Sequence, residues 1–166
     1  DLCIQLNPFM LRQIITNGLP AGIQNSVISI ANVFIQSNIN SFGKIAMAGC
    51  GAYSKVEGFA ALPVTCFSMA LTTFISQNLG AGKYDRVRKG ARFGVLCGMT
   101  LTELIGLVLY VTMPVLISFF NNDPEVIAYG TKQAHIITPF YFLMAYSHCT
   151  AGIMRGAGKS SVPMFV

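Results

Sequence analysis

Asn25, Ser29, Asn32, Gln36 and Asn40 follow one another at intervals of 4, 3, 4 and 4 residues, which places five amide or hydroxyl side chains on one face of a helix. Glu57, Ala61, Thr65, Ser68, Thr72 and Ser76 repeat the arrangement at 4, 4, 3, 4 and 4. The chemistry such stripes offer is hydrogen bonding. In hydrocarbon each polar group costs free energy unless it meets a partner or water, so both stripes must face other helices or a hydrated cavity. Asn25, Ser29, Asn32, Gln36, Thr65, Ser68 and Tyr141 are the candidate lining of a substrate cavity. The competing reading is interhelical hydrogen bonding that holds a bundle together.

Two acids stand in or beside apolar stretches. Glu57 follows Lys55 closely and reads as a solvated residue at a helix start. Glu103 lies about ten residues inside an apolar segment, where an ionised carboxylate is costly and faces protein or water. Either acid is a candidate for coupling a cation or a proton; for Glu103 the alternative is a protonated or hydrogen-bonded packing residue. His135 and His148 are 13 residues apart, which is no metal-binding spacing, so no metal site is expected. Gly-Ala-Gly-Lys occurs at 80–83 and 156–159, the second followed by Ser160. A phosphate-binding loop needs glycine at 153, where Ile153 stands, so both runs read as helix ends in which glycine stops the helix and lysine complements its dipole. No H-E-x-x-H, G-x-S-x-G or paired-carboxylate pattern points to catalysis, and the chain reads as a non-enzyme. Cys3, Cys50, Cys66, Cys97 and Cys149 are odd in number and form no C-x-x-C pair, the usage of small apolar packing residues.

The elements that position these groups are long and apolar. Of 166 residues, 10% are charged and 53% hydrophobic, with a mean hydropathy of +0.58; a soluble domain carries ~25% charged residues. The composition indicates a piece of a longer membrane protein. Four charge-poor segments, about 18–42, 58–79, 93–120 and 126–154, each reach the ~20 residues that cross a ~30 Å hydrocarbon core. The expectation is an all-α, polytopic membrane bundle of four spans. Residues 1–17 read as a cytoplasmic amphipathic lead-in, and 160–166 as the start of a further span.

Charge sets the topology. The turn at 80–92 holds Lys83, Arg86, Arg88, Lys89 and Arg92, whereas 121–125 holds two acids, with Asp123 suited to an N-cap and Pro124 to a first helical turn. Across four alternating spans, eight of the 11 basic residues fall on one side and three on the other. This places both ends of the chain in the cytoplasm of a cell membrane, with the basic loop as an anchor to lipid headgroups. The charge of +5 is thereby accounted for without nucleic acid. Pro63 and Pro139 favour bends; Gly90, Gly94 and Gly98, Gly18 and Gly22, and Gly152 and Gly156 offer small-x-x-x-small packing faces.

Several runs resemble the multidrug and toxic compound extrusion (MATE) family: Asn17-Gly18-Leu19-Pro20, Gly51 to Phe59, Gln77 to Val87, Phe119 to Val126, and Met154-Arg155-Gly156-Ala157-Gly158. Their order and spacing hold over nearly the whole chain. The resemblance implies spans seven to ten, the C-terminal lobe, of a twelve-span, two-lobe transporter. It would export cationic or amphipathic drugs and toxins by alternating access, in exchange for sodium ions or protons, with no other cofactor. Membrane lipids and an N-terminal lobe of the same protein are the implied partners. Some members carry acids where this chain has Ile28 and Met144, so their cation site does not carry over. A lipid-linked precursor flippase of the same superfamily and a non-transporting scaffold subunit are the alternatives.

Overall fold

The structure, a computed structural model, describes residues 8–165; the part of the lead-in at 1–7 lies outside them. Helix α1 runs over Pro8–Ser41, α2 over Lys44–Gly80 and α3 over Tyr84–Ser118. Then come α4 over Pro124–Ile137, a 3₁₀ turn over Thr138–Phe140, α5 over Tyr141–Gly156 and a short α6 over Val162–Phe165. No strand occurs among the described residues. The fold is the expected all-α bundle, and α1, α2 and α3 are each long and apolar enough to cross a membrane.

Three boundaries differ from the sequence reading. Helix α1 continues without a break from Pro8 through residue 18, with Pro8 suited to a first helical turn and Pro20 carried inside the helix. Helix α2 begins fourteen residues before the expected start; its 37 residues reach about 55 Å, so hydropathy marks only the part that lies in hydrocarbon. The fourth segment is divided. With 14 and 16 residues, α4 and α5 reach about 21 and 24 Å, and each alone falls short of the bilayer core.

The helix ends follow local chemistry. Both Gly-Ala-Gly-Lys runs terminate helices with the second glycine in the left-handed region, Gly82 at φ 68° and Gly158 at φ 74°. Lys83 N donates to Asn78 O at 2.9 Å and Lys159 N to Met154 O at 3.0 Å, which satisfies carbonyls the helix leaves open. Asp123 caps α4, its Oδ1 accepting from Glu125 N at 3.0 Å, with Pro124 in the first turn.

Helices α2, α3, α4 and α5 pack together, and Ala52, Tyr53, Val56, Met113, Ile117 and Ala134 form a buried core. Glycines set the closest approaches. A Cβ on Gly152 would lie 2.6 Å from Ser68 O, and one on Gly156 2.6 Å from Thr72 O, so α2 and α5 touch backbone to backbone. Across that seam Ser68 Oγ donates to His148 O at 2.8 Å and Thr72 Oγ1 to Gly152 O at 2.9 Å. Gly90 and Gly94 receive Phe74 and Leu71. Gly18 and Gly22 meet nothing within 4 Å, so that pair performs none of the packing its spacing suggests within the described residues. Helix α1 flanks the bundle with nearly all its described side chains exposed.

Candidate functional site

The division of the fourth segment organises one end of the site. Pro139 has no N–H and cannot continue the α-helical ladder, and Tyr141 N bonds Thr138 O in a tighter turn. The next amide, Phe142 N, is released and donates to Glu103 Oε2 at 3.0 Å. The carboxylate therefore sits at the start of α5, where helix amides point outward and the dipole favours negative charge. Glu57 lies one helical turn after Tyr53 on α2, and Tyr53 Oη lies 3.2 Å from Tyr141 Oη. Contrary to a solvated helix start, Glu57 is half-buried, well inside α2. Of the two acids, Glu103 bonds the first residues of α5 directly.

A cleft of about 300 Å³ opens where α1 leans on α2 and α5. Asn25 and Ile28 contribute from α1, Thr65 and Ser68 from α2, and His148 and Arg155 from α5. It brings together Asn25, Thr65 and Ser68 of the sequence candidates. Ser29, Asn32 and Gln36 lie further along the same face of α1, exposed, and two of them bond within their own helix: Ser29 Oγ to Asn25 O at 2.9 Å and Gln36 Nε2 to Asn40 Oδ1 at 3.1 Å. Tyr141 lies elsewhere, buried against α2 and α3 in the packed interior and outside this cleft. Of the α2 stripe, Ser68 serves both roles, lining the cleft with its hydroxyl committed to α5, and Thr72 is spent on the seam.

The basic turn is open to solvent. Lys83, Arg86, Arg88, Lys89 and Arg92 are all exposed at the α2–α3 turn and on the start of α3, in reach of any headgroup layer alongside. At the other end of α3, Lys55 Nζ stands 5.2 Å from the centre of the Phe120 ring, a cation–π contact that ties α2 to the α3–α4 loop.

A MatE family model matches residues 20–166. The chain belongs to the MatE family. Among curated relatives of this MatE chain, Probable multidrug resistance protein YpnP of Bacillus subtilis is 31% identical over 141 residues, 85% of this chain and 32% of that protein. Probable multidrug resistance protein YoeA of the same organism is 22% identical over 163 residues, 98% of this chain and 35% of that protein. The chain therefore spans about a third of the length of these relatives. A solved MOP superfamily transporter from Pyrococcus furiosus superposes with a TM-score of 0.87 over 92% of this chain and 34% of its own, at 17% identity, which shows a shared fold. With its apolar, membrane-length helices, this MatE chain is a multi-pass membrane protein.

The sequence reading missed four polar contributors to the MatE cleft: Gln24, Ser147, His148 and Arg155. A signal for two of them existed. His148 and Arg155 are seven residues apart, two helical turns on one face of α5, but Arg155 reads as a loop cation when charges are only counted by side. Gln24 precedes the stripe by one residue and gives no periodic signal of its own.

Proposed function

We propose that the protein containing this chain exports amphipathic compounds, cationic drugs and toxins among them, across the cell membrane. The two lobes would rock about a central cavity, so that substrate and a counter-transported sodium ion or proton favour opposite conformations. This chain supplies the C-terminal lobe, with both its ends in the cytoplasm, lipids along its apolar faces and an N-terminal lobe across the cavity. One observation carries the reading. The polar face of α1, from Asn25 to Gln36, is unsatisfied by neighbouring helices and continues from a polar cleft, the arrangement of a wall whose opposite side is water, substrate or another lobe. Glu57 and Glu103 are the candidate acids for coupling to an ion, and the bond from Phe142 N to Glu103 at the start of α5 supports the second.

The test is efflux by the full-length protein in cells stripped of their own exporters. Asn32→Leu and Gln36→Leu are expected to lower dye efflux or shift the substrate range, whereas normal efflux of every substrate removes the α1 face from the cavity. Collapsing the proton or the sodium gradient separately identifies the driving ion. The flippase alternative requires basic residues within the spans; residues 18–42 hold none, and the basic side chains that reach the cleft come from α5.

A further inference from the structure

We infer that the α5 side of the cleft is an oxyanion subsite, built to hold the carboxylate or phosphate of an amphipathic molecule. Arg155 lies in the last turn of α5 and turns toward α1, where its Nη2 donates to Gln24 Oε1 at 3.1 Å. Gln24 is fixed in turn, because its amide nitrogen donates to the Pro163 carbonyl on α6. The guanidinium is therefore aimed by a neutral side chain, and no acidic side chain pairs with it among the described residues. Its Nε is buried and bonds no partner among the described residues, although a buried donor left unmade is costly. The cleft lining holds Arg155 and His148 and no Asp or Glu.

These features select a ligand class. Arginine remains charged at any accessible pH, and its planar fork matches the two oxygens of a carboxylate or phosphate. Ser147 and Thr65 border the same space with hydroxyls, while Ile28 and Met69 give it an apolar wall. The volume of about 300 Å³ stands at the lower end of ligand pockets, room for an acidic head with the start of its apolar body. An organic cation alone would meet an arginine with no acid to offset it. The subsite deepens the export reading by naming a charge class, and depends on that reading for transport only; binding stands by itself.

The probe is a matched pair, a carboxylate-bearing xanthene dye and its methyl ester, which differ in the one group at issue. Binding is measured by fluorescence polarisation to the purified full-length protein in phosphatidylcholine nanodiscs. Wild type is expected to bind the acid at least tenfold more tightly than the ester. Arg155→Gln should weaken the acid about tenfold and the ester less than twofold, with Arg155→Lys recovering part of the loss. Ile28→Glu sets a carboxylate into the same cleft from a half-exposed position and should abolish the preference with Arg155 intact; it carries the test if Arg155→Gln elutes as misfolded protein. Equal binding of acid and ester by wild type, no binding of the acid, or equal weakening of both by Arg155→Gln overturns the subsite.

Nanodiscs containing phosphatidylglycerol separate the sources of the oxyanion. Displacement of the acid dye from wild type by that lipid identifies a headgroup as the occupant, and undiminished binding identifies the soluble amphiphile. Wild type that binds selectively yet exports neither dye from vesicles overturns the export reading and leaves the subsite standing. Export of both dyes together with equal binding of acid and ester does the reverse.

Discussion

Gly152→Ala should part the α2–α5 seam. The added Cβ would sit 2.6 Å from the Ser68 carbonyl oxygen and 2.8 Å from its Oγ, and a backbone atom cannot swing aside as a side-chain tip can. Contact at an ordinary 3.4 Å or more requires the helices to separate. That separation stretches the bonds from Ser68 to His148 O and from Thr72 to Gly152 O, now 2.8 and 2.9 Å. Interhelical hydrogen bonds in bilayers contribute ~0.6 kcal/mol each on average, and overpacking a fitted contact costs ~1–3 kcal/mol. The alanine recovers at most about 1 kcal/mol of helix propensity. The net loss is about 1–4 kcal/mol. Gly94→Ala meets the end of the Leu71 side chain, which can rotate away, and Gly58→Ala meets nothing within 4 Å. Reversible unfolding of the full-length protein in mixed detergent–SDS micelles, followed by circular dichroism, should rank the losses Gly152 above Gly94 above Gly58. Equal losses at Gly152 and Gly94, or a stable Gly152→Ala protein, would refute the backbone-contact argument.

Glu103→Gln keeps an oxygen acceptor for Phe142 N and should unfold like wild type, while Glu103→Ala loses a cap worth ~1 kcal/mol; equal behaviour of the two removes the capping role, and an unchanged sodium and pH dependence in Glu103→Gln removes the residue from coupling. In a cysteine-free full-length background, Lys89→Cys should react with an impermeant maleimide only from the cytoplasmic side and Asn122→Cys only from the other, and labelling of both from one side refutes the charge-sorted topology.

Features whose cause is local were legible from the residues alone. The glycine that ends a helix and the Asp123-Pro124 start act within a few residues, and the α1 stripe needs only the helical period. What pairs with what was not legible, because it depends on which helices meet. Gly18 with Gly22 and Gly152 with Gly156 carry the same spacing, yet one pair is open and the other bears on a backbone. Ser68 and Asn25 look alike as polar residues on a face, but Ser68 is engaged by α5. Glu103 appeared as an unexplained acid in an apolar segment because its partner, Phe142 N, is freed by a proline 36 residues away in sequence. The cleft joins residues 24 and 155, a separation at which periodicity carries no information.

The divided fourth segment bears on how the bundle is held together. Neither α4 nor α5 is long enough to cross a bilayer core unaided, and the amide released at their junction donates to the Glu103 side chain of α3. The carboxylate of an earlier helix accepts the break in a later one, so the fourth segment and α3 are complementary parts of one structural unit.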